Sequence, residues 1–210
     1  MFQLHSFCLS SASWRVRIGL ALKGIKYEYV AVHLRKQEQL EPAYAALNTM
    51  QQVPTLVLPD GRCLTQSVAI LEWLDQTYPE PALLPQDAFL RAKTRALVEM
   101  VNSGIQPLMN TGVVLKLQEL GVEPSRFVQH FVGKGIHAVE QAVRETAGKY
   151  CVGDQVTLAD AYVIPQMAKA RDAGIDLSAC PTLLGIEATA SALSAFVEAR
   201  PEAQPDFASL

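Results

Sequence analysis

The chain has no surplus of positive charge: 18 Lys and Arg stand against 21 Asp and Glu, a formal net charge of −3 at pH 7. Tracking a phosphate backbone needs a basic surface, so nucleic acid is not an expected partner. No apolar run approaches the roughly 20 residues that cross a bilayer, and the N-terminus lacks the basic flank and apolar core of a secretory signal. The expectation is a cytoplasmic protein with no membrane partner. Cysteine and histidine are scarce, at 4 each. Cys8, Cys63, Cys151 and Cys180 are too scattered for a metal site or a redox pair, and read as small buried apolar groups. His5, His33, His130 and His137 have no ligand spacing either, so no metal is expected. The glycine-rich loop that cradles phosphates is missing, as is the G-x-S-x-G turn of a serine hydrolase.

What is present is a core. Hydrophobic residues make up 50% of the chain and charged ones 19%, which excludes a disordered polymer. Residues 1–80 alternate strand and helix. "MFQLHSF" reads as a strand, and "SWRVRIGLALKG" as a helix closed by Gly24 just past its end. "YEYVAVHL" alternates as a second strand, and "EQLEPAYAAL" is a short helical piece. Thr55–Leu58 and Arg62–Leu64 form a hairpin turned at Pro59-Asp60-Gly61. "SVAILEWLDQTYP" is a helix expected to be capped by Ser67. The order β-α-β-α-β-β-α implies a four-stranded mixed sheet with helices on its faces.

"PEPALLPQD" then interrupts, and residues 81–88 make a natural linker. From Phe89 to about Ala199 the apolar pattern is helical, so the second domain, taken as 89–210, is expected to be all-α. "TLADAY" carries a capping box, with Asp160 reaching back to Thr157. It opens a mostly apolar helix, "LADAYVIPQMAKA", that Pro165 should bend.

The stretch "FCLSSASWRVRIGL" places Ser10, Ser11 and Ser13 at a helix start. A cap needs only one hydroxyl. A helix N-terminus offers unpaired N–H groups and the positive end of the dipole, and a hydroxyl there can donate to an anion. A bound thiol with a solution pKa near ~8.5 would gain thiolate character at such a site. A cap with two polar neighbours is the plainer reading. Val53-Pro54 ahead of a strand could present backbone groups to a peptide-like ligand if the bond is cis. Gln66-Ser67 at another helix start suits a carboxylate.

Together, "SSASWRVRIGLALKGIKYE", "QVPTL", "TQS", "GIQPLMN" and "YCVGDQVTLADAYVIPQ" resemble the glutathione transferase family, most closely its zeta class, over nearly the whole chain. The resemblance implies a thioredoxin-like glutathione-binding domain at 1–80 and a helical bundle domain at 89–210, arranged as a homodimer. It implies that Ser10, with Ser11 beside it, stabilises the thiolate of glutathione, the expected cofactor. Val53, ahead of cis-Pro54, would pair with the cysteinyl backbone, and Gln66 and Ser67 would take the γ-glutamyl carboxylate. Ala12 and Arg15 would border the pocket, Gln39 would reach the glycyl end, and Gln106 and Asn110 would close over glutathione or substrate. The implied reaction is a glutathione-dependent cis–trans isomerisation of maleylacetoacetate or maleylpyruvate, as used in tyrosine and other aromatic catabolism.

The chain departs from that class at three places. Leu9 stands where the isomerases usually have arginine, and Ala12 where a cysteine often follows the serines. Near "AKARDAGIDL" an expected Arg-Phe is replaced by Asp172-Ala173, with Arg171 one residue early, about 100° round a helix. Leu9, Gln106 and Arg171 are the candidate substrate contacts. Losing two arginines keeps open a transferase or dehalogenase acting on small electrophiles such as α-halo acids. A non-catalytic glutathione-binding module stays open on the fold alone. A thiol-transferase through Cys8 would need that thiol at the helix start, and it lies just before it.

Overall fold

A computed structural model describes residues 1–210, except for the side chain of residue 209. In chain order the elements are strand β1 (Phe2–Ser6), helix α1 (Ser11–Leu22), β2 (Tyr27–Ala31), α2 (Pro42–Leu47), β3 (Thr55–Val57), β4 (Cys63–Thr65) and α3 (Ser67–Thr77). There follow α4 (Ala88–Glu99), α5 (Thr111–Glu119), α6 (Pro124–Val143), α7 (Leu158–Asp172), α8 (Pro181–Ala190) and α9 (Ser194–Ala199). Short turns of helix occupy 34–40 and 100–109. The chain forms two compact units, residues 1–82 with 192–210, and residues 83–191. The sequence grouped 192–210 with the helical half; the contacts place this tail with the sheet-bearing unit.

In the first unit the sheet runs β2-β1-β3-β4, parallel between β1 and β2 and antiparallel elsewhere. Leu4 and Leu56, neighbours across β1 and β3, are fully buried with Val16, Ile18 and Leu20 of α1 and Ile70, Leu71 and Leu74 of α3. Each such side chain contributes about 1.5–3 kcal/mol through burial. At Gly19 helix α1 closely approaches Leu71 of α3: a Cβ there would lie 2.1 Å from Leu71 Cδ2. Helix α1 ends as expected at Gly24, with φ +64°. The Gly24 N–H bonds the Ala21 carbonyl and the Ile25 N–H the Leu20 carbonyl, a paired closure that needs the left-handed residue between.

In the second unit α7 is buried along most of its length, as an all-round apolar helix must be. It runs through Pro165 to Asp172. Asp160 accepts from the Thr157 N–H at 2.7 Å, as "TLADAY" implied, and also from the Cys151 N–H at 2.8 Å. Buried Glu140 of α6 accepts from the N–H groups of Thr182 and Leu183, at 3.2 and 2.9 Å, and so caps α8 from a different helix.

Candidate active site

Strand register brings three separated stretches to one edge of the sheet. Thr55 pairs with His5 on one side and Thr65 on the other. The residues just beyond, Phe7–Ser10, Val53-Pro54 and Gln66-Ser67, therefore meet past the C-terminal end of β1. Two helices, α1 and α3, begin at that edge with their positive poles.

Ser10 is the N-cap of α1, and its Oγ accepts from the Ser13 N–H at 3.2 Å. The plain and the sharp readings of this serine are compatible. A hydroxyl has two acceptor lone pairs and one proton, so capping leaves the O–H free to donate. By helix geometry the N–H groups of Ser11 and Ala12, the first of α1, have no carbonyl one turn back. Ser10 is half-buried, Ser11 and Ser13 buried.

The Val53-Pro54 bond is cis. Val53 is buried in an apolar cluster with Phe7, Cys8, Val32 and Tyr44, against which Leu9 packs. Ser67 is not the cap that the sequence suggested. It is the first residue of α3, and Gln66 takes the N-cap position with φ 68°. A side chain rarely adopts that conformation, and here it turns the chain sharply out of β4 into α3.

Arg15 lies one turn inside α1 and does not begin the helix, so any contribution comes from its side chain. Buried to 1% exposure, it donates through Nη1 to Ser67 Oγ at 3.3 Å. Arg17, equally buried, is structural: it donates to the carbonyls of Cys8 and Ala199 at 3.0 and 2.9 Å. Gln39 sits in the short helical turn Glu38–Leu40, its Oε1 buried without a hydrogen-bond partner among the described residues.

Cys8 is fully buried. Burial and the adjacent Asp206 carboxylate push its thiol up to about 11, the reverse of what a thiol nucleophile needs.

Gln106, Asn110 and Arg171 belong to the other unit. Gln106 opens the helical turn Gln106–Met109, and Asn110 caps α5 through its side chain. Arg171 is occupied: Nη1 donates to Glu187 Oε1 at 2.6 Å and Nη2 to the other oxygen of that carboxylate. Asp172 pairs with Lys169 at 2.7 Å. Nothing in the sequence points to the tail's part here, in which Asp206 accepts from the Cys8 N–H at 3.0 Å. An acid near a C-terminus has no local pattern that names its partner.

Residues 9–77 match the family described as Glutathione S-transferase, N-terminal domain. The chain is 45% identical to maleylacetoacetate isomerase of Mus musculus over 206 residues, covering 97% of this chain and 94% of that one. A crystal structure of maleylacetoacetate isomerase from Anaeromyxobacter dehalogenans with bound GSH in the active site is 47% identical, with TM-score 0.90 over 98% of this chain and 97% of that one. The holo structure of a maleyl pyruvate isomerase, described as a bacterial glutathione S-transferase in zeta class, is 41% identical, with TM-score 0.93 and coverage of 97% and 99%.

Proposed function

The chain belongs to the glutathione S-transferase family, in its zeta class, and on that premise we propose that it is a glutathione-dependent cis–trans isomerase of maleylacetoacetate or maleylpyruvate. The observation that carries the reading furthest is Ser10, whose oxygen caps α1 while its proton stays available to a thiolate. Ser11 and Ala12 add helix-start N–H groups beside it. Val53, ahead of the cis bond, pairs with the cysteinyl backbone of glutathione. Gln66 and Ser67 take the γ-glutamyl carboxylate. The Ser67 oxygen accepts from the buried Arg15 guanidinium, which adds positive charge at this helix start. Gln39 reaches the glycyl end.

The thiolate adds to the conjugated cis double bond, and the displaced electron pair moves onto the conjugated carbonyl oxygen. The former double bond, now single, rotates. Collapse of the enolate then expels the thiolate and re-forms the double bond as trans. Glutathione returns unchanged, and the protein contributes orientation and stabilisation of negative charge.

Leu9 borders the electrophile. Arg171, engaged by Glu187, is left out of this scheme. That engagement favours the second reading, a transferase or dehalogenase for a small electrophile that demands no arginine clamp. Four free cysteines suit a reducing, cytoplasmic location. Exposed Phe89 and Leu90 at the start of α4 offer apolar surface to a second copy, for a homodimer that sedimentation would detect.

Loss of the cis substrate's absorbance, followed with and without glutathione, tests the isomerase. Turnover that needs glutathione and collapses in Ser10→Ala is the expected result. No turnover on either substrate, with glutathione still raising the melting temperature, transfers the assignment to another electrophile.

A further inference from the structure

The loop that carries Ser10 is held from the far end of the chain. Between β1 and α1 lie only Phe7, Cys8, Leu9 and Ser10. The Cys8 N–H donates to Asp206 Oδ2 at 3.0 Å across 198 positions of sequence, and the Cys8 carbonyl accepts from Arg17 Nη2 at 3.0 Å. The Phe7 carbonyl accepts from the Ser10 N–H at 2.9 Å and from Arg17 Nη1 at 3.4 Å. Arg17 Nε in turn donates to the Ala199 carbonyl at 2.9 Å, at the end of α9. The second oxygen of Asp206 accepts from the Tyr29 hydroxyl at 2.7 Å. Asp206 is 7% exposed, and its neighbour Phe207 packs on the apolar cluster of Phe7, Cys8 and Val53. Both polar groups of the Cys8 peptide are thus fixed by side chains that also tie down the tail.

From this geometry we infer that Asp206 is a positioning residue for the thiolate site: it locks the Cys8 peptide and thereby fixes where the Ser10 hydroxyl points. The inference rests on the proposed role of Ser10. A hydroxyl that must donate to one sulfur atom gains from a rigid backbone, because a small displacement of a reacting geometry costs rate steeply. Buried Cys8 would otherwise keep an unsatisfied N–H, which favours local rearrangement of the loop. Asparagine at 206 preserves both contacts in principle, accepting from the Cys8 N–H and donating to the Tyr29 oxygen. Alanine preserves neither.

The decisive readout is the ionisation of bound glutathione, followed by thiolate ultraviolet absorbance across pH, with the affinity for S-methylglutathione as control. In Asp206→Ala the thiol of bound glutathione is expected to titrate closer to its free value, and kcat/KM to fall about tenfold or more. The affinity for S-methylglutathione, which has no thiolate to stabilise, stays near wild type. Asp206→Asn restores most of the thiolate signal. A folded Asp206→Ala with wild-type thiolate absorbance and kcat/KM overturns the inference. So does a loss of S-methylglutathione affinity equal to the loss of rate, which means a general collapse of the site. If the alanine variant does not fold, Tyr29→Phe, which removes the hydroxyl that bonds the Asp206 carboxylate, must move the thiol in the same direction, and an unmoved thiol overturns the inference. Ser10→Ala in the same assay separates the two claims. Thiolate lost there but kept in Asp206→Ala defeats the positioning role alone, whereas thiolate kept in Ser10→Ala defeats the Ser10 assignment itself.

Discussion

Arg15 Nη1 donates to Ser67 Oγ at 3.3 Å, joining the first turn and a half of α1 to the first residue of α3. Both residues are buried, and each belongs to a helix start at the same edge of the sheet. One guanidinium therefore orients the hydroxyl assigned to the γ-glutamyl end and adds positive charge beneath it.

Arg15→Lys tests that coupling. Lysine keeps the charge and loses the planar fork, so Ser67 loses its oriented donor. The KM for glutathione is expected to rise about tenfold, equivalent to about 1.4 kcal/mol, with kcat within about twofold. Steady-state kinetics at saturating electrophile separate the two terms. An unchanged KM would mean that Ser67 is held adequately without Arg15.

Thiol labelling separates the cysteines. Cys63 is exposed, whereas Cys8, Cys151 and Cys180 are fully buried, and burial comes first among the causes that push each of those thiols up. A small aromatic disulfide reagent should release one equivalent of thiol product from native protein and none from Cys63→Ser. Release of a second equivalent before unfolding would place Cys8 within reach of solvent and revive its candidacy as a nucleophile.

Much of this architecture was legible because its determinants are local. The hairpin at Pro59-Asp60-Gly61, the Gly24 closure and the Asp160 capping box each rest on residues within a turn of one another. Ser10 was legible for the same reason, as a hydroxyl at a helix start. The Ser67 cap was misplaced because Gln66 takes a positive φ that its side chain does not advertise. Arg171 reads in sequence as a candidate substrate contact, and the partner that engages it, Glu187, lies on another helix. The tail reads as a continuation of the helical unit, whose pattern runs to about Ala199, although Asp206 and the Ala199 carbonyl bind the sheet unit. Periodicity reports an element's type and leaves the surface on which it docks undetermined.

Gly19 marks a close approach that a methyl group would block. A Cβ would lie 2.1 Å from Leu71 Cδ2, and Leu71 is fully buried, so it has little room to yield. Gly19→Ala gains about 1 kcal/mol of helix propensity and loses about 1–3 kcal/mol to overpacking. Net destabilisation is expected by denaturant melting. In Gly19→Ala/Leu71→Ala the combined loss should be less than the sum of the two single losses, because each change relieves the other. Additive losses would locate the strain elsewhere.

Glu140 should govern part of the acid limb of stability. Burial by itself raises its carboxyl, but donation from the Leu183 N–H, Thr182 and Arg144 outweighs this and brings it below the ordinary 4.5. A carboxyl lowered on folding contributes stability that is fully present above 4.5 and drains away as pH falls through that value toward the lowered one. Glu140→Gln weakens the charge-assisted bonds to α8, at a cost of about 1–3 kcal/mol near neutrality. Melting temperatures of wild type and variant should differ most at neutral pH and converge as pH drops below about 4.5. A constant gap across that range would show that Glu140 acts through shape alone. A gap that widens in acid would reverse the sign, and would mean that the protonated residue is the stabilising form.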